Sequence, residues 1–296
     1  MRWGINMIYI IANPISGGGK GKLYTDMLTG RLEECNREFT VLNSGYENQC
    51  IELTREASGK ADCELIIAVG GDGTFNEVIN GLDLKIPVAF IPAGTGNDFV
   101  RGAGIPVKAE EAVEVACRGR ETLCDFMEVN GRRCLNVAGT GFDVNVLLCE
   151  KKIRKIFPGK ISYMLALLKS LLRFRFTDIS LAVDGGKAEK KTVMLIAIAN
   201  GKFYGGGMPI SLESECDDGI LNLIIINKLP KIKIPYLLIR FLQGKLLTLT
   251  KYVESVKCKR VEFSVGGGLP VNMDGELIDE NPVNINIIEK GIKLIR

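Results

Sequence analysis

The stretch Leu65-Ile66-Ile67-Ala68-Val69-Gly70-Gly71-Asp72-Gly73-Thr74-Phe75-Asn76-Glu77 decides the fold. Five successive apolar residues have the length of a buried strand, and a helix carrying Asn76 and Glu77 is predicted to follow. Between them lies a loop in which glycines flank one carboxylate. An ordinary turn would need one glycine and a cap. Glycines on both sides of Asp72 instead clear space for a bulky polar ligand, the alternative being that Asp72 or Thr74 caps the helix.

Working outward, apolar runs of strand length at 7–12, 39–42 and 87–91 alternate with helical patterns at 23–36 and 49–58. Such alternation means a parallel sheet covered by helices. Three strand ends, near Asn13, Gly70 and Pro92, open into glycine loops, where open α/β sheets bind ligands. The first loop reads Asn13-Pro14-Ile15-Ser16-Gly17-Gly18-Gly19-Lys20-Gly21-Lys22. Its backbone N–H groups could approach phosphate oxygens, or it could be a flexible turn without a ligand. It is not a Walker loop, because Pro14 and Ser16 stand where the first glycine is needed and no Ser or Thr follows either Gly-Lys pair. The third loop, Pro92-Ala93-Gly94-Thr95-Gly96-Asn97-Asp98-Phe99, repeats the design and sets Asp98 beside hydroxyl and amide donors. Asp72 and Asp98 are therefore expected at one sheet edge, a place to hold magnesium and triphosphate.

After about residue 125 the rhythm changes to shorter strands at 179–183, 192–199, 220–226 and 261–265, with turn signals at Asp184-Gly185-Gly186 and Gly266-Gly267-Gly268. The expected architecture is α/β plus β. An N-terminal α/β domain spans 1–125 and a C-terminal β-rich domain, a sandwich, spans 126–296, its last residues being candidates to return to the first domain. An apolar helix is expected over 162–176, with Lys169, Arg173 and Arg175 near its end. It reads either as a core or inter-domain helix or as a membrane-facing one, and it is too short to cross a bilayer.

With 296 residues the chain can bury two cores, and 46% hydrophobic against 25% charged residues is the balance of an ordinary folded protein. A net charge of +3 without charge runs gives no reason to expect a nucleic-acid partner. Residues 1–11 read as a first strand and not as a signal peptide, so a cytoplasmic protein, peripheral to the membrane, is expected. The nine cysteines are scattered singly and read as buried small hydrophobes. Histidine is absent, so a general base must be a carboxylate or, less readily, a lysine or tyrosine.

Taken together, Gly70 to Thr74, Asn76-Glu77 and the Gly-Thr-Gly-Asn-Asp-Phe run at 94–99 resemble the catalytic domain shared by diacylglycerol, sphingosine and ceramide kinases. The segments 136–143, 200–208, Asp217-Asp218-Gly219 and Asp274-Gly275-Glu276 extend the resemblance over nearly the whole chain, most closely to the bacterial soluble members. The resemblance implies an N-terminal domain similar to NAD kinases and phosphofructokinases, a β-sandwich C-terminal domain and an ATP site in the cleft between them. It implies an ATP- and magnesium-dependent lipid kinase acting on a hydroxyl of a membrane lipid such as diacylglycerol, with a homodimer left open. Asn13, Pro14, Ser16, Gly17, Gly70, Gly71, Asp72, Gly73, Thr74, Asn76, Glu77, Thr95, Asn97 and Asp98 would line the nucleotide. Ser44 is the nearest match to a threonine that touches nucleotide in relatives, although Gly45-Tyr46-Glu47-Asn48 departs from the usual pattern. Glu276 or Asp274 would be the base, where the bare residues would otherwise read as a polar hairpin tip. Asp218, with the carbonyls of Glu215 and Ile220, would hold a structural magnesium, the alternative being a turn without metal. NAD kinase, which lacks the Gly-Thr-Gly-Asn-Asp run, and a non-catalytic nucleotide- or lipid-binding module are the competing readings.

Overall fold

The computed structural model describes residues 6–153 and 160–296; the first five residues of the expected opening strand segment lie outside them. In the N-terminal half, β1 (Met7–Ala12), α1 (Ser16–Glu34), β2 (Phe39–Asn43), α2 (Gln49–Ser58), β3 (Cys63–Gly70), α3 (Asp72–Gly81) and β4 (Val88–Pro92) alternate in the predicted order. The strands lie parallel as β4-β3-β1-β2. Successive side chains of a strand face opposite sides. Tyr9, Ile11, Ile66, Ala68 and Phe90 enter one hydrophobic layer, with α2 and α3 residues Ala57, Phe75 and Ile79. Ile8, Ile10, Ile67, Val69 and Ile91 enter the other, with Leu28 and Leu32 of α1. Both faces are covered, which is why these strands read as unbroken apolar runs. Two further helices, α4 (Asp98–Gly102) and α5 (Ala109–Arg118), complete this half.

The chain then enters antiparallel structure: β5 (Glu121–Val129), β6 (Arg132–Cys134), β7 (Val137–Gly141), α6 (Phe142–Ile153), α7 (Lys160–Arg173), β8 (Thr177–Val183) and β9 (Glu189–Ala199). After these come β10 (Phe203–Tyr204), β11 (Met208–Pro209), β12 (Leu221–Asn227), α8 (Ile234–Leu242), β13 (Val253–Cys258), β14 (Arg260–Val265), β15 (Val271–Met273), β16 (Glu276–Ile278) and β17 (Val283–Ile295). Along β9 the period of two separates two cores. Ile196 and Ile198 point into the sandwich with Leu223, Val261 and Phe263. Leu195, Ala197 and Ala199 lie under Val146, Leu167, Ile234, Leu237 and Phe241 of α6, α7 and α8. The long β17 pairs antiparallel with β14 and β5, and near its end Leu294 lies beside Val88 of β4 in parallel. One strand thus carries hydrogen bonding from the second half into the sheet of the first.

Two expectations change, the bounds of the apolar helix and the burial of the cysteines. The helix expected over 162–176 runs Lys160–Arg173 and stops before the aromatics. Phe174 is buried edge-on against Phe142 at 5.3 Å and Phe176 at 5.1 Å, so ring packing takes these residues out of the helix. Lys169 and Arg175 are exposed, while the Arg173 side chain lies outside the described residues. Beside the strands of the second half, α6 and α8 join α7 in an apolar helical cover over β9 and β12. Cysteines 35, 117 and 149 are only half-buried; the other six are buried.

Candidate active site

The three glycine loops meet at the carboxyl ends of β1, β3 and β4, and backbone contacts hold them together. Gly71 and Gly94 pass so closely that a Cβ on Gly94 would stand 2.6 Å from the Gly71 Cα and 2.8 Å from Asn97 Oδ1. Only glycine permits that approach. In the first loop Gly17, Gly18 and Gly19 have φ of 59°, 74° and 97°. Consecutive left-handed residues can turn several N–H groups toward one point, a concavity suited to an anion. Asn13 donates from Nδ2 to Thr74 Oγ1 at 3.4 Å and Ser44 donates from its backbone to Ala12 O at 2.8 Å, so both stand at this sheet end.

The acidic residues of the loops act as staples. Asp72 does not cap its own helix, nor does any side chain cap α3. Its two carboxylate oxygens accept the N–H groups of Asn97 and Asp98, each at 2.7 Å, fixing the third loop to the second. Asp98 in turn accepts from Gly206 at 2.8 Å and Gly207 at 2.5 Å, which fixes the third loop to the segment between β10 and β11. Burial raises the pKa of both carboxyls, that of Asp98 to about 6, with Asp72 adding a repulsion. Asp72 and Asp98 thus stand together at the cavity end expected to hold magnesium and triphosphate, with each of their oxygens accepting one backbone N–H. Asn76 and Glu77 turn aside. Asn76 Oδ1 accepts from Asn80 at 3.0 Å, and Glu77 accepts the Cys50 N–H at 3.0 Å, so neither lines the cavity described next.

Between the halves opens a cavity of about 580 Å³. Asp72, Thr95, Gly96, Asp98 and Asp274 line one end, and Leu147, Leu167, Leu168, Leu238 and Leu242 the other. Leu167, Leu238, Tyr204, Met208 and Asp143 are shared with a smaller, almost wholly apolar pocket of about 40 Å³ under α8 that continues among Phe142, Met194, Ile226 and Phe241. The combined space is polar where the glycine loops converge and apolar where the helical cover closes it.

Asp274 and Gly275 are the two central residues of the hairpin joining β15 to β16, with Met273 paired to Glu276. Their φ values of 49° and 92° fit the Asp-Gly preference of such tight turns. The Asp274 carboxylate accepts from the N–H groups of Leu135 at 2.7 Å, Val137 at 2.9 Å and Asn136 at 3.1 Å. Burial nevertheless raises its pKa to about 6. Glu276, half-buried, has a pKa raised by burial and by the charges of Glu77, Asp274 and Glu47, and no hydrogen bond or ion pair constrains its oxygens among the described residues. Glu77 and Glu47 belong to the N-terminal half, so Glu276 stands near it, next in sequence to Gly275, which lines the cavity, while Glu276 itself does not.

Asp143, at the start of α6, was not singled out from the sequence. It is buried where the polar and apolar parts of the cavity meet, and its Oδ2 accepts from Asn272 Nδ2 at 3.0 Å while Oδ1 has no partner. Burial pushes its pKa to about 6. Asn272 also accepts the Gly275 N–H at 2.9 Å, linking Asp143 to the hairpin. The segment 136–143 carried the family resemblance, but nothing local in Gly141-Phe142-Asp143 tells which residue faces a cavity.

The proposed metal loop lies elsewhere, packed against β5 and β17. Asp218 Oδ1 accepts the Ile220 N–H at 3.0 Å, and the Glu215 side chain pairs with Lys202 at 2.6 Å. Buried Asp125 accepts from Gly219 at 2.7 Å and Lys290 at 2.6 Å, and Asp217 pairs with Arg296. The Asp218 pKa is raised by burial and by Asp125 and Asp217. Lys202 and Arg296 already neutralise Glu215 and Asp217, which leaves Asp218 as the carboxylate free of an ion pair among the described residues of this loop, and its oxygens suit a hard cation. No group of three metal-ligating side chains occurs among the described residues, so main-chain oxygens would have to complete any such site.

Residues 7–129 match the diacylglycerol kinase catalytic domain, and residues 136–296 match the YegS C-terminal NAD kinase beta sandwich-like domain. A Staphylococcus aureus protein named "Putative lipid kinase" is 28% identical over 275 residues, 90% of either chain. A diacylglycerol kinase structure from Bacillus anthracis superposes with a TM-score of 0.79 at 24% identity, over 100% of this chain and 98% of that one. An NAD kinase from Archaeoglobus fulgidus in complex with ATP reaches a TM-score of 0.52 at 14% identity, covering 98% and 93%, and shares the fold alone.

Proposed function

We propose a reaction from the premise that this chain belongs to the lipid kinase family in which a diacylglycerol kinase catalytic domain precedes a YegS-type C-terminal domain: transfer of the γ-phosphate of ATP to a hydroxyl of a membrane lipid such as diacylglycerol. The observation that carries the reading is the cavity, whose polar end lies at the glycine loops and whose apolar end lies among leucines. A lipid has that division, a hydroxyl on one side and hydrocarbon on the other. NAD is polar throughout and has no use for the apolar end, which disfavours the NAD kinase reading.

In this reading the backbone N–H groups of Gly17 to Gly19, together with the second and third loops, hold phosphate oxygens, and Ser16, Thr74 and Thr95 add hydroxyls. Asp72 and Asp98 hold those loops in register. Phosphoryl transfer asks the protein mainly for such positioning and for charge neutralisation, the part magnesium supplies when bound with the nucleotide. Glu276 takes the proton from the lipid hydroxyl. Burial raises the pKa of both hairpin carboxyls, so the choice of base rests on freedom: the Asp274 oxygens already accept three N–H groups, whereas those of Glu276 accept none among the described residues. Asp274 holds the hairpin to β7. The unpartnered Oδ1 of Asp143 accepts a hydrogen bond from the acceptor lipid, and the leucines take its chains. Asp218, with the carbonyls of Glu215 and Ile220, would hold a magnesium that secures the loop beside β17.

The test is transfer of labelled γ-phosphate from ATP, with magnesium, to a panel of lipids in mixed micelles, with Glu276→Gln alongside. Label on a lipid that disappears in the variant supports the reaction and identifies the acceptor. Label on NAD, or none on any lipid while ATP still binds, would defeat it.

A further inference from the structure

The helix α8 reads Ile234-Pro235-Tyr236-Leu237-Leu238-Ile239-Arg240-Phe241-Leu242. Its inward side is accounted for: Ile234, Leu237 and Phe241 are buried on the helical core. A soluble helix should then present polar residues outward. This one does not. Tyr236, Ile239 and Leu242 are each 53% exposed, Pro235 lies among them, and Ile232 just before the helix is 85% exposed. On α7, Leu165 and Leu168 are exposed as well, at 39% and 53%. Leu168 and Leu242 also line the cavity, so the apolar surface runs from its mouth onto the outside of the protein.

Charge selects what covers this surface. Residues 228–251 contain Lys228, Lys231, Lys233, Arg240, Lys245 and Lys251 and no acidic residue, although the whole chain carries only +3. Arg240 is tied to Thr248 Oγ1 at 2.6 Å, and Lys231 reaches Phe174 O at 3.3 Å. Lys233 and Lys245 are exposed, and no carboxylate of the described residues pairs with either. A second copy docking on this face would bring its exposed lysines against those of the first. An apolar strip edged with lysines instead fits an anionic bilayer, with hydrocarbon below the headgroups and phosphates level with the lysines.

We propose that α8 and the residues flanking it dock the protein on an anionic membrane, with the mouth of the cavity flush against the lipid. The proposal rests on the lipid kinase reading for its purpose, since an acceptor could then pass from the bilayer between Leu168 and Leu242 without exposing its chains to water. No helix among the described residues is long and apolar enough to cross a membrane, and the docking needs none.

The test is flotation of the full chain with vesicles of phosphatidylcholine alone or mixed equally with phosphatidylglycerol. The intact protein should float with the anionic vesicles and be released as salt rises. Lys233→Gln with Lys245→Gln should weaken that binding about 25-fold, at about fivefold per charge. Ile232→Ser with Ile239→Ser should abolish flotation and turnover of vesicle-embedded diacylglycerol, yet leave turnover of a dissolved short-chain diacylglycerol unchanged. Undiminished flotation of both double variants would overturn the proposal. So would a dimer in sedimentation that Ile232→Ser with Ile239→Ser converts to monomer. Failure of the intact protein to phosphorylate even the dissolved lipid would instead defeat the lipid kinase reading and leave the vesicle result standing.

Discussion

The two ends of the cavity are made from different materials. At the polar end the backbone forms the surface: glycines bring loops within van der Waals contact, and Asp72, Asp98 and Asp274 are spent on seven N–H groups from three segments. At the apolar end side chains form the surface, and leucines from α6, α7 and α8 set its width. A backbone surface tolerates almost no substitution, because any added atom displaces main chain. A surface of side chains is adjustable, because its volume is a sum of many small contributions. The first should therefore govern whether phosphate is transferred, and the second which lipid receives it.

The sharpest way to break this contrast is Glu276→Gln. Loss of the base should lower kcat about 10²- to 10³-fold, the usual cost of one catalytic group, with a melting temperature at pH 7 that does not fall, because no hydrogen bond is lost and a carboxylate made unfavourable by burial and like charges is neutralised. Asp274→Asn, by comparison, should lose activity and melting temperature together, since it strips an acceptor from three N–H groups. Equal melting losses in the two variants would remove the assignment of base and staple. Next in size is Gly94→Ala, whose added methyl has Gly71 Cα at 2.6 Å. Displacing the third loop should lower kcat/KM for ATP about 100-fold, read by steady-state kinetics, without changing the order of preference among lipids.

At the apolar end, Leu238→Phe narrows the passage between the cavity and the pocket beneath α8. It should shift kcat/KM about tenfold toward shorter acyl chains and leave the KM for ATP alone, checked with a chain-length series. The smallest effect sharpens the boundary between the two ends. The Asp143 pKa is raised from the ordinary carboxylate range to about 6. The folded protein therefore binds the proton more tightly than the unfolded chain does. Its cost is fully present above pH 6 and is relieved as pH falls from about 6 toward 4. Asp143→Asn should raise stability at pH 7 by about 1–2 kcal/mol, flatten that part of the pH profile in thermal melts, and lower turnover. A variant that loses both stability and activity would make Asp143 a structural residue.

Much of the polar end was legible beforehand because its code is local. Gly70-Gly71-Asp72-Gly73-Thr74 after an apolar run, and Gly94 to Phe99 after the next, can hardly be anything but strand-to-helix loops on a parallel sheet. The use of the carboxylates was not legible. Asp72 bonds the start of α4 and not the start of its own helix, and Asp98 bonds glycines more than a hundred residues away. A local motif names a donor or acceptor without naming its distant partner. The same holds for Asp143 and Asn272, joined across 129 positions of sequence.

From the sequence alone came the parallel α/β half, the antiparallel half that follows it, the three glycine loops and the Asp274-Gly275-Glu276 turn. Each depends on residue periods or on turn chemistry that acts over a few positions. Tertiary structure alone decided which carboxylates are staples, where the cavity ends, and that α8 turns an apolar face outward. These depend on which distant segments pack together and how much space they leave, and no local pattern of residues encodes a volume.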